Sequence, residues 1–370
     1  MSGIKCENIE RNMIKMNRFR LPYCMTVEEG IFERVDEVIS GYIPGINMQK
    51  AIIVTEENLK NIFPDCLDEI SRDFKNSEVF LVDKSSYDDA VDLGKYICMN
   101  DIQVVIGFGG GMVLDMAKFA AFISKTTYIS LPTTLSNDSI ASPFAVLGTD
   151  DGTRKTFGCK IPSCIIVDVD VIMNTPEDQL KSGIGDTISK YTALYDWKLS
   201  CAAKNTKLDD FAYMISEMAL NSVCYHENKS LKSKSFIRTL TEALVMGGLA
   251  MEIAGSSRPS SGSEHLFCHS LEENHKEIKI SHGIAVAMGS VAASIFQGRD
   301  EKKLVNILNA YDIDYNPMNY GITKGIFIDA WQRAEATRKN RITILSETVL
   351  NSEWLSEIYD RMTDKELYKI

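Results

Sequence analysis

Basic residues are in short supply: 40 lysines and arginines stand against 51 aspartates and glutamates, a formal net charge of −11. Such a chain repels DNA, RNA and anionic membrane surfaces at long range, so no nucleic-acid or membrane partner is expected. A small anionic substrate would need only a local cationic pocket. The nine cysteines, scattered from Cys6 to Cys268, include no C-x-x-C pair. Neither a disulfide framework nor a thiolate zinc site is written there, and reduced thiols are expected. Long apolar runs are missing as well. The longest, Gly283 to Phe296, is rich in small residues and too short for a bilayer span, so it reads as a buried helix. Lys5, Glu7, Glu10 and Arg11 precede any apolar stretch, unlike a secretory signal, and a cytoplasmic protein is the expectation. No low-complexity segment or fixed-period repeat is visible.

What is present is an ordinary globular composition, 45% hydrophobic and 25% charged over 370 residues. That length favours two domains, each with its own apolar interior. The first half alternates short β-branched runs with helical stretches. Ala51 to Thr55, Val79 to Asp83, Val104 to Ile106, Tyr128 to Leu131 and Ile165 to Asp168 read as parallel strands of an open α/β sheet. After Val171 strands disappear, and Gly185 to Leu199, Asp209 to Val223 and Ile237 to Ile253 carry apolar residues at helical spacing. Thr175-Pro176-Glu177-Asp178 places an N-cap candidate, a first-turn proline and two acids where a helix should begin. The expected organisation is an α/β domain over residues 1–172 and an all-helical domain over 173–370, with the ligand site in the cleft between them.

The strongest local signal is the run from Gly107 to Lys118, Gly-Phe-Gly-Gly-Gly-Met-Val-Leu-Asp-Met-Ala-Lys, directly after the strand Val104 to Ile106. Glycines let amides approach an anion closely, and the helix that follows offers unpaired N–H groups and a positive dipole end. A pyrophosphate suits that place, although a tight strand-to-helix turn alone also accounts for the glycines. The run is not the ordinary dinucleotide fingerprint, because G-x-G-x-x-G read from Gly107 would need glycine at Met112.

Of five histidines, His265, His269, His275 and His282 fall within one short stretch. His265 and His269 lie one helical turn apart. Neutral imidazoles with a carboxylate suit zinc, iron or nickel. Any two of the four would serve as ligands, and no spacing rule selects the carboxylate.

The GxGGGxxxDxAK pattern, followed by Pro132-Thr133-Thr134-Leu135-Ser136-Asn137-Asp138, resembles the nucleotide signature of the glycerol dehydrogenase and dehydroquinate synthase superfamily, which also holds the iron-containing alcohol dehydrogenases. The match covers most of the chain and implies a Rossmann-like parallel-sheet domain followed by a helical one, the dehydroquinate synthase-like fold. It assigns NAD or NADP binding to Gly109, Gly110, Gly111, Met112 and Val113, to Thr133, Thr134, Leu135 and Ser136, and to Ser142. Glu56, just past the strand Ala51 to Thr55, occupies the place of an acid that accepts hydrogen bonds from the adenosine ribose, which favours NAD over NADP. Gly183-Ile184-Gly185-Asp186 is similar to the metal-binding aspartate motif, and Ser261-Gly262-Ser263-Glu264-His265 and Ser281-His282-Gly283 to the two histidine motifs. The implied ligands of one divalent metal, zinc first and iron or nickel as alternatives, are Asp186, His265 and His282. Asp138 and His269 become the substrate-side groups, with Ser139 where a glycine is common and Cys268 where a serine is frequent.

The segment Ser257-Arg258-Pro259-Ser260 leading into Ser261-Gly262-Ser263-Glu264-His265 resembles the sn-glycerol-1-phosphate dehydrogenases more than the glycerol dehydrogenases. Arg258 is thereby a candidate partner for a substrate phosphate, and a structural ion pair is its plainer reading. The resemblance implies an alcohol dehydrogenase interconverting dihydroxyacetone phosphate and sn-glycerol 1-phosphate, and a homo-oligomer, dimer or higher. Glycerol dehydrogenase, with an unphosphorylated substrate, is the alternative. A cyclase of the dehydroquinate synthase kind ranks lower, because Asp151 to Lys160 does not show its Lys-Asn pattern.

Overall fold

Short runs of β-branched and apolar residues build eight strands: β1 (Cys24–Glu28), β2 (Lys50–Thr55), β3 (Asn76–Leu81), β4 (Val104–Gly109), β5 (Thr127–Pro132), β6 (Phe144–Gly148), β7 (Arg154–Gly158) and β8 (Cys164–Asp168). The computed structural model describes residues 19–364 apart from 44, 47–49, 75, 204 and 205; Cys6 and the charged residues Lys5, Glu7, Glu10 and Arg11 lie outside the described residues. Six strands form one parallel sheet in the order β1-β8-β5-β4-β2-β3, while β6 and β7 pair separately as an antiparallel hairpin. Strands β2, β4 and β8 read as apolar runs because helices cover both faces of the sheet. The connection from β2 leads outward to β3, and that from β4 leads the other way to β5. The crevice between β2 and β4 is therefore the switch point at which such sheets bind ligands.

All five strands expected from sequence are present. The one expected at Val79 to Asp83 starts earlier and ends at Leu81, on an edge where its side chains are mostly exposed. Strand β1 and the hairpin were not foreseen. The residues of β1 do not alternate cleanly; the strand pairs in parallel with β8, and the turn after it is held by the Asp168 carboxylate, which accepts from the N–H groups of Gly30 and Phe32.

Beyond Asp168 the described residues form helices and no strand. The helices of this half that line the cleft are Glu177–Ile188, Lys234–Ala254, Ser263–Asn274 and His282–Phe296, and Lys190–Ala202 follows the first of them. The expected continuous stretch Gly185 to Leu199 is broken at Ser189, whose hydroxyl donates to the Asp186 carbonyl at 2.7 Å. At the junction Pro176 takes the N-cap position itself, and Thr175 instead donates its hydroxyl to the Thr133 carbonyl at 2.9 Å. The first half has two apolar clusters of its own, one around Ile53, Ile106 and Ile166 and one around Val54, Val105 and Ala117, and a third is shared with the helical half. The largest apolar cluster joins Leu114, Leu135, Ile165 and Val167 of the first half to the helical core.

Two backbone contacts set the position of the site. A Cβ on Gly183 would lie 1.8 Å from the Leu135 carbonyl oxygen, and one on Gly283 would lie 1.8 Å from that of Ser182. Gly185 is similarly constrained, since a Cβ there would lie 2.2 Å from the Gly283 oxygen. The helix Glu177–Ile188 thus packs backbone to backbone against the start of His282–Phe296. Replacing Gly283 with alanine must push these helices apart, at a cost of about 1–3 kcal/mol or more. Gly158, whose Cβ would meet nothing within 4 Å, is the control. Thermal denaturation should show a lowered Tm for Gly283→Ala and little change for Gly158→Ala, and equal Tm values would contradict the packing argument.

Candidate active site

At the crevice, β4 turns through Gly109 and Gly110 into the helix Gly111–Ser124, whose N-terminus has no side-chain cap. The turn is tight: a Cβ on Gly109 would come within 2.7–2.9 Å of the Val113 side chain, and one on Gly111 within 3.0 Å of Ser139 Oγ. Uncapped N–H groups at such a terminus suit an anion. Two buried hydroxyls in this region, Thr133 Oγ1 and Ser139 Oγ, have no hydrogen-bond partner among the described residues. Residues of that kind fit a polar ligand such as a dinucleotide phosphate. Gly111, Met112 and Ser142 line the adjoining cleft. Val113 and Leu135 are fully buried, and neither lines the cleft. Thr134 lies beside Gly110, and the Ser136 carbonyl accepts from Ser182. Glu56 follows β2 on the other side of the crevice, half-buried, and burial pushes its carboxyl pKa up.

Across the same cleft the helical half brings Asp186, His265 and His282 together, with one ligand atom of each lying within 4.8 Å of the others. His265 Nε2 is 3.5 Å from Asp186 Oδ1. A carboxylate and two imidazoles at such separations fit one divalent ion. Burial by itself would raise the Asp186 carboxyl. The hydrogen bond from His265 and the charge of Lys190 outweigh it and keep the group ionised. Asp138 donates its backbone N–H to Asp186 Oδ2 at 3.1 Å, while its own carboxyl is pushed up, first by burial and then by repulsion from Asp186.

Residues that sequence reasoning did not single out hold these groups in place. His265 Nδ1 lies 3.0 Å from Oε1 of the fully buried Glu264, whose other oxygen accepts from Thr192 at 2.7 Å. His282 Nδ1 lies 3.5 Å from Glu272 Oε1 and 3.4 Å from Cys268 Sγ. Carboxylates so placed fix which imidazole nitrogen carries the proton and leave the other for a metal. Lys190, with no exposed surface, points its ammonium at the Asp186 carbonyl at 3.4 Å. Adjacency to His265 marks Glu264, and helical spacing puts Glu272 one turn after Cys268. No sequence signal marks Lys190. His269 also lines the cleft, and burial holds its pKa down at about 4, so the imidazole is neutral. His275 pairs instead with Asp329 at 2.9 Å.

Arg258 is not placed as expected. It is absent from the cleft wall, and its guanidinium is buried and bonded to the Ile342 carbonyl, although Ser257, Ser260 and Ser261 on either side of it line the cleft. The cationic groups that do line the cleft are Arg154, from β7, and Arg338. Arg338 donates to Ser257 Oγ at 3.2 Å and Thr156 Oγ1 at 2.9 Å, with Arg341 behind it on the same Ser257 hydroxyl at 3.0 Å. Burial, together with the charges of Arg338 and Arg258, pushes the Arg341 pKa down to about 9. Arg154 and Arg338 are far apart in sequence, so neither spacing nor motif links them.

A family model described as iron-containing alcohol dehydrogenase matches residues 26–176. A glycerol-1-phosphate dehydrogenase [NAD(P)+] of Sulfolobus acidocaldarius is 31% identical over 350 residues, 93% of this chain and 97% of the relative. One from Aeropyrum pernix is 30% identical over 342 residues, 91% of this chain and 95% of the relative. Among solved structures, the glycerol dehydrogenase of Schizosaccharomyces pombe aligns with a TM-score of 0.76 at 21% identity, covering 94% of this chain and 90% of that one. That likeness is one of fold. The sequence relation over nearly the full length is closer, and the chain belongs to the glycerol-1-phosphate dehydrogenase family.

Proposed function

We propose that this protein interconverts dihydroxyacetone phosphate and sn-glycerol 1-phosphate by hydride transfer with NAD or NADP, assisted by one divalent ion. The observation that carries the reading is a single cleft walled by three groups: the glycine turn, the triad Asp186, His265 and His282, and the guanidinium groups of Arg154 and Arg338. When bound, the ion supplies a Lewis acid for the substrate oxygen and the nicotinamide supplies or accepts hydride.

Asp186, His265 and His282 would hold the ion. Two nitrogens and one oxygen suit zinc best, with iron or nickel as alternatives, and leave a position for substrate. Glu264 and Glu272 orient the two imidazoles through Nδ1. The backbone from Gly109 to Val113 and from Thr133 to Ser136, with Ser139 and Ser142, receives the cofactor. Glu56 accepts hydrogen bonds from its adenosine ribose, which favours NAD. Asp138 and His269 contact the substrate beside the triad, and neutral His269 can take or return the hydroxyl proton. Arg338 and Arg154 take the role first given to Arg258, pairing with the phosphate, while Arg258 and Arg341 keep the region behind them cationic. In this reading residues 1–172 form the nucleotide-binding half and 173–370 the metal- and substrate-binding half of a cytoplasmic homo-oligomer.

Turnover of dihydroxyacetone phosphate and dihydroxyacetone, measured side by side by NADH oxidation, tests the substrate. Preference for the unphosphorylated ketone would overturn it. Arg338→Ala should lower kcat/KM for the phosphorylated ketone by roughly 30-fold, the equivalent of about 2 kcal/mol for a lost charge-assisted contact. Its effect on dihydroxyacetone should be small, and equal losses on both would remove Arg338 from the phosphate site. Dialysis against a chelator should abolish turnover, with one equivalent of zinc restoring it; activity that survives chelation with no metal left bound would contradict the triad's role.

A further inference from the structure

Cys268, Glu272 and His282 lie together as a group that the proposed reaction does not use as ligands. Their ligand atoms also lie within 4.8 Å of one another. His282 Nδ1 is 3.4 Å from Cys268 Sγ and 3.5 Å from Glu272 Oε1, and Sγ is 3.8 Å from the same Oε1. Zinc bonds of ~2.3 Å to sulfur and ~2.0–2.2 Å to nitrogen and oxygen, held at tetrahedral angles, separate the ligand atoms by roughly 3.4–3.6 Å. The observed triangle matches those edges to within about 0.2 Å. It is also built in advance. Cys268 and Glu272 sit one turn apart on the helix Ser263–Asn274, and His282 opens the next helix, so no backbone movement is needed to close it. Glu272 and His282 line the cleft, which gives an ion a route to the otherwise buried thiol.

We propose that Cys268, Glu272 and His282 form a second cation site, overlapping the first at His282, that takes a thiophilic divalent ion such as cadmium or excess zinc. The Asp186 site offers only oxygen and nitrogen, whereas this one adds a soft sulfur donor, so the two differ in the cations they prefer. Binding releases two protons to solvent, one from the Cys268 thiol and one from His282 Nδ1, so that with both sites filled the imidazole bridges the two ions as an imidazolate. With the second site empty, Glu272 orients His282 by accepting its Nδ1 hydrogen. A bound second ion takes that hydrogen bond away and so inhibits turnover. The inference shares His282 with the proposed metal centre but does not need Asp186.

The test is titration of full-length protein carrying one equivalent of zinc with cadmium chloride. Metal content, near-ultraviolet thiolate-to-cadmium absorption and turnover are followed together. A second equivalent should bind, with the absorption band and the loss of turnover rising in parallel. Cys268→Ser should remove the second equivalent and the matching part of the band while retaining the zinc. Glu272→Gln should weaken the second equivalent by ~10-fold or more. In Asp186→Ala the first equivalent should be lost while the Cys268-dependent band persists, which separates failure of this site from failure of the catalytic one. Saturation of the wild-type protein at one equivalent, or a full band in Cys268→Ser, overturns the proposal.

Discussion

The contact on which the rest of the structure depends is that between the backbone of the helix Glu177–Ile188 and the first turn of His282–Phe296. Gly183, Gly185 and Gly283 leave no room for a side chain between a helix, the Leu135 carbonyl and the neighbouring helix start. This close approach brings the Asp186 carboxylate, late on one helix, to His282 at the beginning of the other. It also presses the nucleotide segment around Leu135 against the helical half, so the two walls of the cleft are joined through backbone. Glycine is required at these positions for space, since none of the three has a positive φ.

Around that contact, charge is arranged so that a buried carboxylate remains ionised. Asp186 would be protonated by its burial alone, and the opposing influences come from His265 and Lys190. Asp138, a neighbour without equal compensation, is driven the other way. Pairs of acids with divergent affinities for protons are typical of sites where metal and proton chemistry meet. Each candidate ligand histidine has its own glutamate, Glu264 for His265 and Glu272 for His282. Arg154 and Arg338, which line the same cleft, with Arg341 behind, gather positive charge in a strongly acidic protein. An anion is the natural occupant beside them.

Much of this could be read from the chain. Alternating β-branched runs gave the parallel sheet, the glycine run marked the turn at its switch point, and histidine clustering pointed to one helical region. Selecting Asp186 needed resemblance to a family, because a carboxylate many residues from its partners leaves no local pattern. What escaped is what depends on tertiary packing. Strand β1 is tied in by pairing with β8, and the turn after it by Asp168. The hairpin of β6 and β7 carries Arg154 to the cleft. Arg258, the one arginine beside the histidine motif, turns inward to Ile342, and Arg338 from a distant segment faces the opening in its place. Sequence separation conceals such exchanges, because a guanidinium reaches far from its own backbone.

The central claim is that one divalent ion is gripped by Asp186, His265 and His282 in the cleft that the glycine turn faces. X-ray absorption at the zinc edge of protein loaded with a single equivalent measures that ligand set directly. The account predicts nitrogen and oxygen neighbours at ~2.0–2.2 Å, with imidazole scattering from two histidines and no sulfur. A sulfur neighbour at ~2.3 Å, or scattering from fewer than two imidazoles, would contradict it.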